Sequence, residues 1–187
     1  MMTPKVQGTK VVFGPVRLSY CHLFEKYVPE GTDAAVAKYM TSALIPKEEK
    51  ETIKAIEAAI EAAKKNGLNT EWGGKLPKKL DHPLRDGDDK DAHPEYDGHY
   101  YITAKTSSRP GIVDMKKEPI VDEEEVYSGM WAYISVSAYA YGKNGNNGVS
   151  FFLNNVMKFK DDERFGGGRD TAENDFADLD TEDDDDL

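Results

Sequence analysis

The sequence predicts a mainly β protein: an antiparallel barrel carrying one amphipathic helix, followed by a disordered acidic C-terminal tail. Three observations lead there. Met130 to Tyr141 alternates apolar and polar or aromatic residues with a period of two, the period of a strand with one face buried, and weaker versions recur elsewhere. Lys47 to Lys65 places apolar residues at helical spacing instead. Residues 170–187 hold ten acidic residues and no basic one, a composition that cannot bury enough apolar surface to fold.

The net charge of −11 comes from 35 acidic and 24 basic residues, and the tail accounts for almost all of it. Residues 1–169 carry 25 acids against 24 bases, so the body is close to neutral and a polyanionic partner stays open. A length of 187 residues fits one domain with a tail. No apolar run approaches the ~18–20 residues of a membrane span, and the start MMTPKVQGTK lacks a signal peptide's apolar stretch. Cys21 is the only cysteine. The expectation is a cytoplasmic protein without membrane contact, with Cys21 a small buried hydrophobe rather than a nucleophile.

Along the chain, Val11 to Tyr20 reads as a strand interrupted at Gly14-Pro15, beyond which Val16, Leu18 and Tyr20 alternate with Arg17 and Ser19. Ala37 to Ile45 reads as a second strand stopped by Pro46. In the helix over 47–65, Ile53, Ile56, Ile60 and Ala63 form a narrow stripe suited to packing on a sheet. Glu48, Glu49 and Glu51 sit at its start and Lys64 and Lys65 near its end, as the helix dipole favours, and Gly67 supplies the stop. Its solvent face is Glu and Ala, so the helix is structural. Residues 66–97 show no periodicity and read as a long functional or mobile loop.

His99 to Thr106 is the third strand. A turn at Arg109-Pro110-Gly111 and a loop through Asp122 to Val126 follow. Met130 to Tyr141 and Val149 to Lys160 are two long strands joined by the turn-rich segment 142–148, a strong hairpin signal. Five strands with one helix between them suggest a barrel of the OB type. Residues 1–165 form this body, and 166–187 form a Gly-rich linker and the tail.

The functional signal lies in the strand from Met130. One parity, Met130, Ala132, Ile134, Val136, Ala138 and Ala140, is apolar and suits a core. The other, Trp131, Tyr133, Ser135, Ser137, Tyr139 and Tyr141, then faces outward. Bases of single-stranded nucleic acid stack on such rings at ~1–3 kcal/mol each without regard to sequence. The strand from His99 shows a milder version, with Tyr101, Thr103 and Lys105 on one side. Arg109, Lys143, Lys158, Lys160 and, in the long loop, Lys75, Lys78, Lys79 and Arg85 could meet the phosphates. The residues alone leave a second reading open, in which the aromatic face is covered or forms a subunit interface, and they leave room for a homodimer.

The tail carries Phe176 and Leu179 within its charge and ends Asp183-Asp184-Asp185-Asp186-Leu187, a pattern closer to a protein-interaction peptide than to a solubility tag. An 18-residue flexible chain spans roughly 25 Å, against a body radius of gyration of roughly 15 Å. Such a tail can reach the body's own basic groove and compete for it.

The stretches VRLSYCHLFE (16–25), LIPKEEKETIKAIEAAIEAAKK (44–65), WGGK (72–75), PLRDGD (83–88), YDGHYYITAK (96–105), RPGIVD (109–114), YSGMWAYISVSAYAY (127–141) and GVSFFLNNV (148–156) resemble the single-stranded-DNA-binding proteins of tailed bacteriophages, an OB-fold family. They cover most of residues 11–160 in order. The resemblance implies non-catalytic binding and protection of single-stranded DNA during phage replication or recombination, in the host cytoplasm. It further implies an acidic tail that recruits replication or recombination proteins and competes with DNA.

Other chemistries fit poorly. Counted as a calcium loop from Asp86, the sixth position is Asp91 where glycine is needed, and the twelfth is Asp97 where glutamate is expected. The acids of 86–97 sit in one loop instead of converging from several strands as a two-metal nuclease requires. His82, His93 and His99 lack zinc-site spacing, and no phosphate-binding glycine motif appears. No metal, cofactor or catalytic residue is expected.

Overall fold

The computed structural model describes residues 1–166, and the tail residues Phe176 and Asp183 to Leu187 lie outside them. Eight strands and one α-helix run in the order β1 (Lys5–Gln7), β2 (Lys10–Tyr27), β3 (Lys38–Pro46), α1 (Lys50–Thr70), β4 (Arg85–Asp86), β5 (His99–Thr106), β6 (Gly111–Val113), β7 (Trp131–Lys143) and β8 (Asn146–Lys160). Strands β5-β3-β2-β7-β8 pair in that order, and the parallel pairing of β8 with β5 closes them into a five-stranded barrel. This is the mainly β barrel with one helix that the alternation predicts.

The barrel interior takes the expected parity. Phe13, Val16 and Leu18 of β2, Ala43 and Ile45 of β3, and Ile102 and Ala104 of β5 meet Ala132, Ile134, Val136 and Ala138 of β7 and Phe151 and Leu153 of β8, all buried. Ile56, Ala59, Ile60 and Ala63 of α1 are buried in the same core, and the helix packs chiefly on β7. Among the described residues no helix is long and apolar enough to cross a membrane.

Several elements differ from the expectation. β2 is not interrupted at Gly14-Pro15. It accommodates one extra residue there, as the partners change from Phe13↔Ile134 to Val16↔Ala132, and runs on to Tyr27. The helix does not stop at Gly67: it continues to Thr70, with Gly67 buried against β7. A Cβ at Gly67 would overlap the Cβ of Ala140, so glycine here permits close helix–strand approach rather than a cap. The segment after Arg109-Pro110 contains a short strand, β6, parallel to the end of β8. The β7–β8 hairpin is tighter than its glycine-rich sequence suggests. Pairing extends to Lys143↔Asn146, leaving the two-residue turn Asn144-Gly145 with both φ positive.

Candidate nucleic-acid interface

Because β7 turns its small aliphatic residues inward, Trp131, Tyr133, Tyr139 and Tyr141 emerge half-buried on the outer surface. They do not form one row. Six residues at ~3.3 Å each separate Tyr133 from Tyr139 by about 20 Å, and the two ends meet different neighbours.

At the hairpin end, Tyr139 stacks on Phe152 of β8, with ring centroids 4.0 Å apart and planes 21° apart. Phe152 leaves 49% of its surface in water. Lys105 of β5, exposed, is the parallel-strand partner of Phe152. Beside this pair lies a cleft of about 200 Å³ lined by Asp81, Arg85, Thr103, Lys105, Tyr141 and Ser150, among others. Its outer wall is the loop after α1, tied to β8 by Asp81 N–H donating to Asn147 O (2.9 Å) and Val149 N–H donating to Asp81 O (3.1 Å). That tether brings Lys79 to an adjoining cleft with Tyr141, Asn146 and Asn147. Within the first cleft, Arg85 pairs with Asp81 at 3.2 Å, and the Tyr141 hydroxyl donates to the same carboxylate at 3.2 Å. Burial, and after it the Asp81 charge, pushes the Tyr141 phenol above its ordinary range. The Arg85 guanidinium thus already holds an oxyanion, as it would hold a phosphate.

At the other end, Trp131 and Tyr133 are engaged by the chain itself. The Trp131 indole N–H donates to Asp162 Oδ2 at 2.7 Å, and the Lys160 ammonium lies 5.2 Å from its ring centre. Tyr133 packs edge-on against Phe159, 5.8 Å between centroids. Residues 161–165 form a strap over this end. Tyr127 donates to Asp161 (2.7 Å), Phe165 N–H donates to Ser128 O (3.0 Å), and the Arg17 guanidinium stacks 4.1 Å over the Phe165 ring while bonding Glu163 O. The indole hydrogen bond, then the Glu163 N–H, hold the Asp162 carboxyl below its usual range. Lys158 and Tyr127 do the same for Asp161.

The predicted basic residues divide accordingly. Lys105 pairs with Phe152, Arg85 shares the first cleft with Lys105, Lys79 lines the second, and Lys143 pairs with Asn146 at the hairpin tip, while Lys75 and Lys78 are exposed on the loop after α1. Arg109 lies 5.0 Å over the Phe24 ring near the end of β5. Lys158 differs from them all. It is 8% exposed, with its ammonium between Asp161 (2.6 Å) and Glu125 (3.0 Å). Burial works against that charge, yet the two carboxylates outweigh it and hold the Lys158 pKa above its ordinary value. Lys158 is thereby committed to fixing the 123–125 turn and the strap. Tyr101 is capped edge-on by Tyr96 (5.0 Å, 88°), and Lys90 sits within 5.2 Å of the rings of Tyr20, Tyr96 and Tyr101. Tyr96 is fully buried, which pushes its phenol up to about 12. The segment 87–97 thus covers the outer face over β2, β3 and β5, leaving the β5–β8–β7 side open.

Sequence reasoning missed Phe152, Asp81, Lys90 and Arg17. Phe152 was accessible from parity, because inward Phe151 and Leu153 force it outward. The other three depend on loop and strap contacts far apart in sequence. Cys21 is part-buried, its Sγ 3.6 Å from the Thr41 hydroxyl, and burial pushes the thiol up to about 11.

A family model described as Enterobacter phage Enc34, ssDNA-binding protein, matches residues 9–187. Protein p50 of Acyrthosiphon pisum secondary endosymbiont phage 1 is 34% identical over 180 residues, covering 91% of this chain and 94% of that protein. The structure of the single-stranded DNA-binding protein from bacteriophage Enc34 in complex with ssDNA superposes with a TM-score of 0.69 at 30% identity, over 84% of this chain and 90% of that one. The single-stranded DNA binding protein gp2.5 of bacteriophage T7 shares the fold alone, with a TM-score of 0.62 at 14% identity over 91% of this chain and 96% of that one. The chain therefore belongs to the family of the Enterobacter phage Enc34 ssDNA-binding protein.

Proposed function

We propose that this chain binds single-stranded DNA without sequence preference on the open β5–β8–β7 side of its barrel. Bases stack on Tyr139, Phe152 and Tyr141, and phosphates run past Lys105, Arg85, Lys79 and Lys143. The observation that carries this reading is the Tyr139–Phe152 stack, a two-ring platform with Phe152 half in water, beside a cleft edged by cations. A large apolar ring left exposed on a strand is an unspent stacking surface. Support comes from the Enc34 relative, whose structure holds ssDNA. The chain acts without catalysis, covering DNA during phage replication or recombination in the host cytoplasm. Its acidic tail, residues 170–187, recruits partner proteins and competes with DNA for the cationic cleft.

Fluorescence anisotropy of a labelled oligo-dT against salt tests the reading. Three to four phosphates neutralised by these cations predict a log–log slope of about −2 to −3, at roughly −0.7 per phosphate for single strands. A slope near zero, or no binding at low salt, refutes it.

A further inference from the structure

A second groove, of about 540 Å³, lies between the segment 114–122 and the last residues of β8. Its lining includes Met115, Val121 and Phe159, which are exposed, with Val121 85% in water. The groove is not an open strand edge. The chain returning from β6 closes that edge, with Ile120 N–H donating to Ile112 O at 2.9 Å and Val113 bridging Pro119. What it offers is side chains, and exposed apolar side chains gathered in one groove mark a contact surface.

The groove's charge selects the occupant. Asp114, Glu118, Asp122, Glu125 and Asp161 line it against Lys116, Lys158 and Lys160. Lys158, Glu125 and Asp161 satisfy one another, which leaves Asp114, Glu118 and Asp122 with the adjoining exposed Glu123 and Glu124 against Lys116, Lys117 and Lys160, a rim still negative on balance. The chain's own residues 170–187, with ten acids and no base, are repelled from such a rim. A second copy docked groove to groove would oppose one acidic rim to another. Both leave a basic partner as the complement.

We infer that this groove docks a basic amphipathic segment of a partner protein, its apolar side chains seated on Val121, Met115 and Phe159 and its Lys or Arg residues facing the acidic rim. The site is distinct from the proposed DNA cleft. Phe159 adjoins Tyr133, about 20 Å along β7 from Tyr139, so a docked segment leaves the cleft open.

The test uses the full chain with ¹³C-methyl-labelled methionine, whose six methyl groups include Met115, assigned through Met115→Leu. The probe is the 14-residue peptide LKKLLKLLKKLLKL, compared with its Lys→Glu counterpart. The Met115 methyl is expected to shift saturably with the Lys peptide and to stay still with the Glu peptide. Val121→Ser, a change at an exposed position that the fold tolerates, is expected to weaken this binding roughly tenfold. Binding of the Lys peptide that leaves Met115 unmoved assigns the contact to the acidic tail and overturns the inference. So does an equal response to both peptides, or an unchanged affinity in Val121→Ser. A Met115 shift that follows protein concentration without peptide makes the occupant a second copy and overturns it as well.

Discussion

Phe152 and Tyr139 hold each other in a stack before any ligand arrives, so a base added to the platform loses little freedom in the protein. Stacking worth ~1–3 kcal/mol per base predicts that Phe152→Ala and Tyr139→Ala each weaken oligo-dT binding roughly 5- to 150-fold, read by anisotropy. Neither ring fills the core, so the thermal midpoint should move little. Asp81 acts in the opposite sense. Its carboxylate occupies Arg85 at 3.2 Å, so Asp81→Asn is expected to tighten binding by a few-fold and to steepen the salt slope; unchanged affinity would show that Arg85 takes no part. At this scale the sequence was informative wherever strand parity decided orientation, as for Tyr139 and Tyr141. It was silent where a loop folds back. Trp131 has the same parity as Tyr139, but the Asp162 contact that occupies its indole comes from a residue 31 positions away.

Among the elements, α1 shows how a correct helix reading can misplace its end. Gly67 resembles a terminator because glycine is a poor helix former, but its absence of a side chain is what the Ala140 contact requires. Intrinsic propensity alone predicts that Gly67→Ala gains about 1 kcal/mol. The overlap with Ala140 costs about 1–3 kcal/mol, so the thermal midpoint is expected to fall by a few degrees. A rise would show that helix and strand are less closely packed. The strap 161–165 makes a pH prediction. Asp161 and Asp162 are held below the usual carboxylate range when docked, so their contribution is complete above the free carboxylate pKa of about 4 and is lost as pH falls through the lower, docked values. Trp131 emission, isolated as the difference between wild type and Trp131→Phe, should stay constant from pH 7 to about 4 and change below that. Asp162→Ala should show the acid-form emission already at pH 7. The short strand β6 was invisible in the sequence because three residues carry no period, and only pairing with β8 defines it.

For the whole molecule, the OB-type closure was readable from five strand segments, some of them clearly alternating, and one narrow-striped helix, because barrel strands must bury one face each. What could not be read was which part of the outer surface stays open. That depends on the irregular segment 87–97 covering one side through Tyr96 and Lys90 and on the strap occupying Trp131. Charge divides the chain equally clearly: a body near neutrality and a tail with ten acids. If the tail competes with DNA, a chain ending at Arg169 binds oligo-dT more tightly than the full chain, and the difference shrinks as salt rises; equal affinities would remove competition from the proposal. The placement of DNA on the β5–β8–β7 side is tested most directly by photocrosslinking an oligo-dT containing 5-iododeoxyuridine to the full chain and mapping the adducts by mass spectrometry. Adducts at Tyr139, Phe152 and Tyr141 are the predicted result, and adducts confined to Trp131, Tyr133 or Phe159 would contradict it.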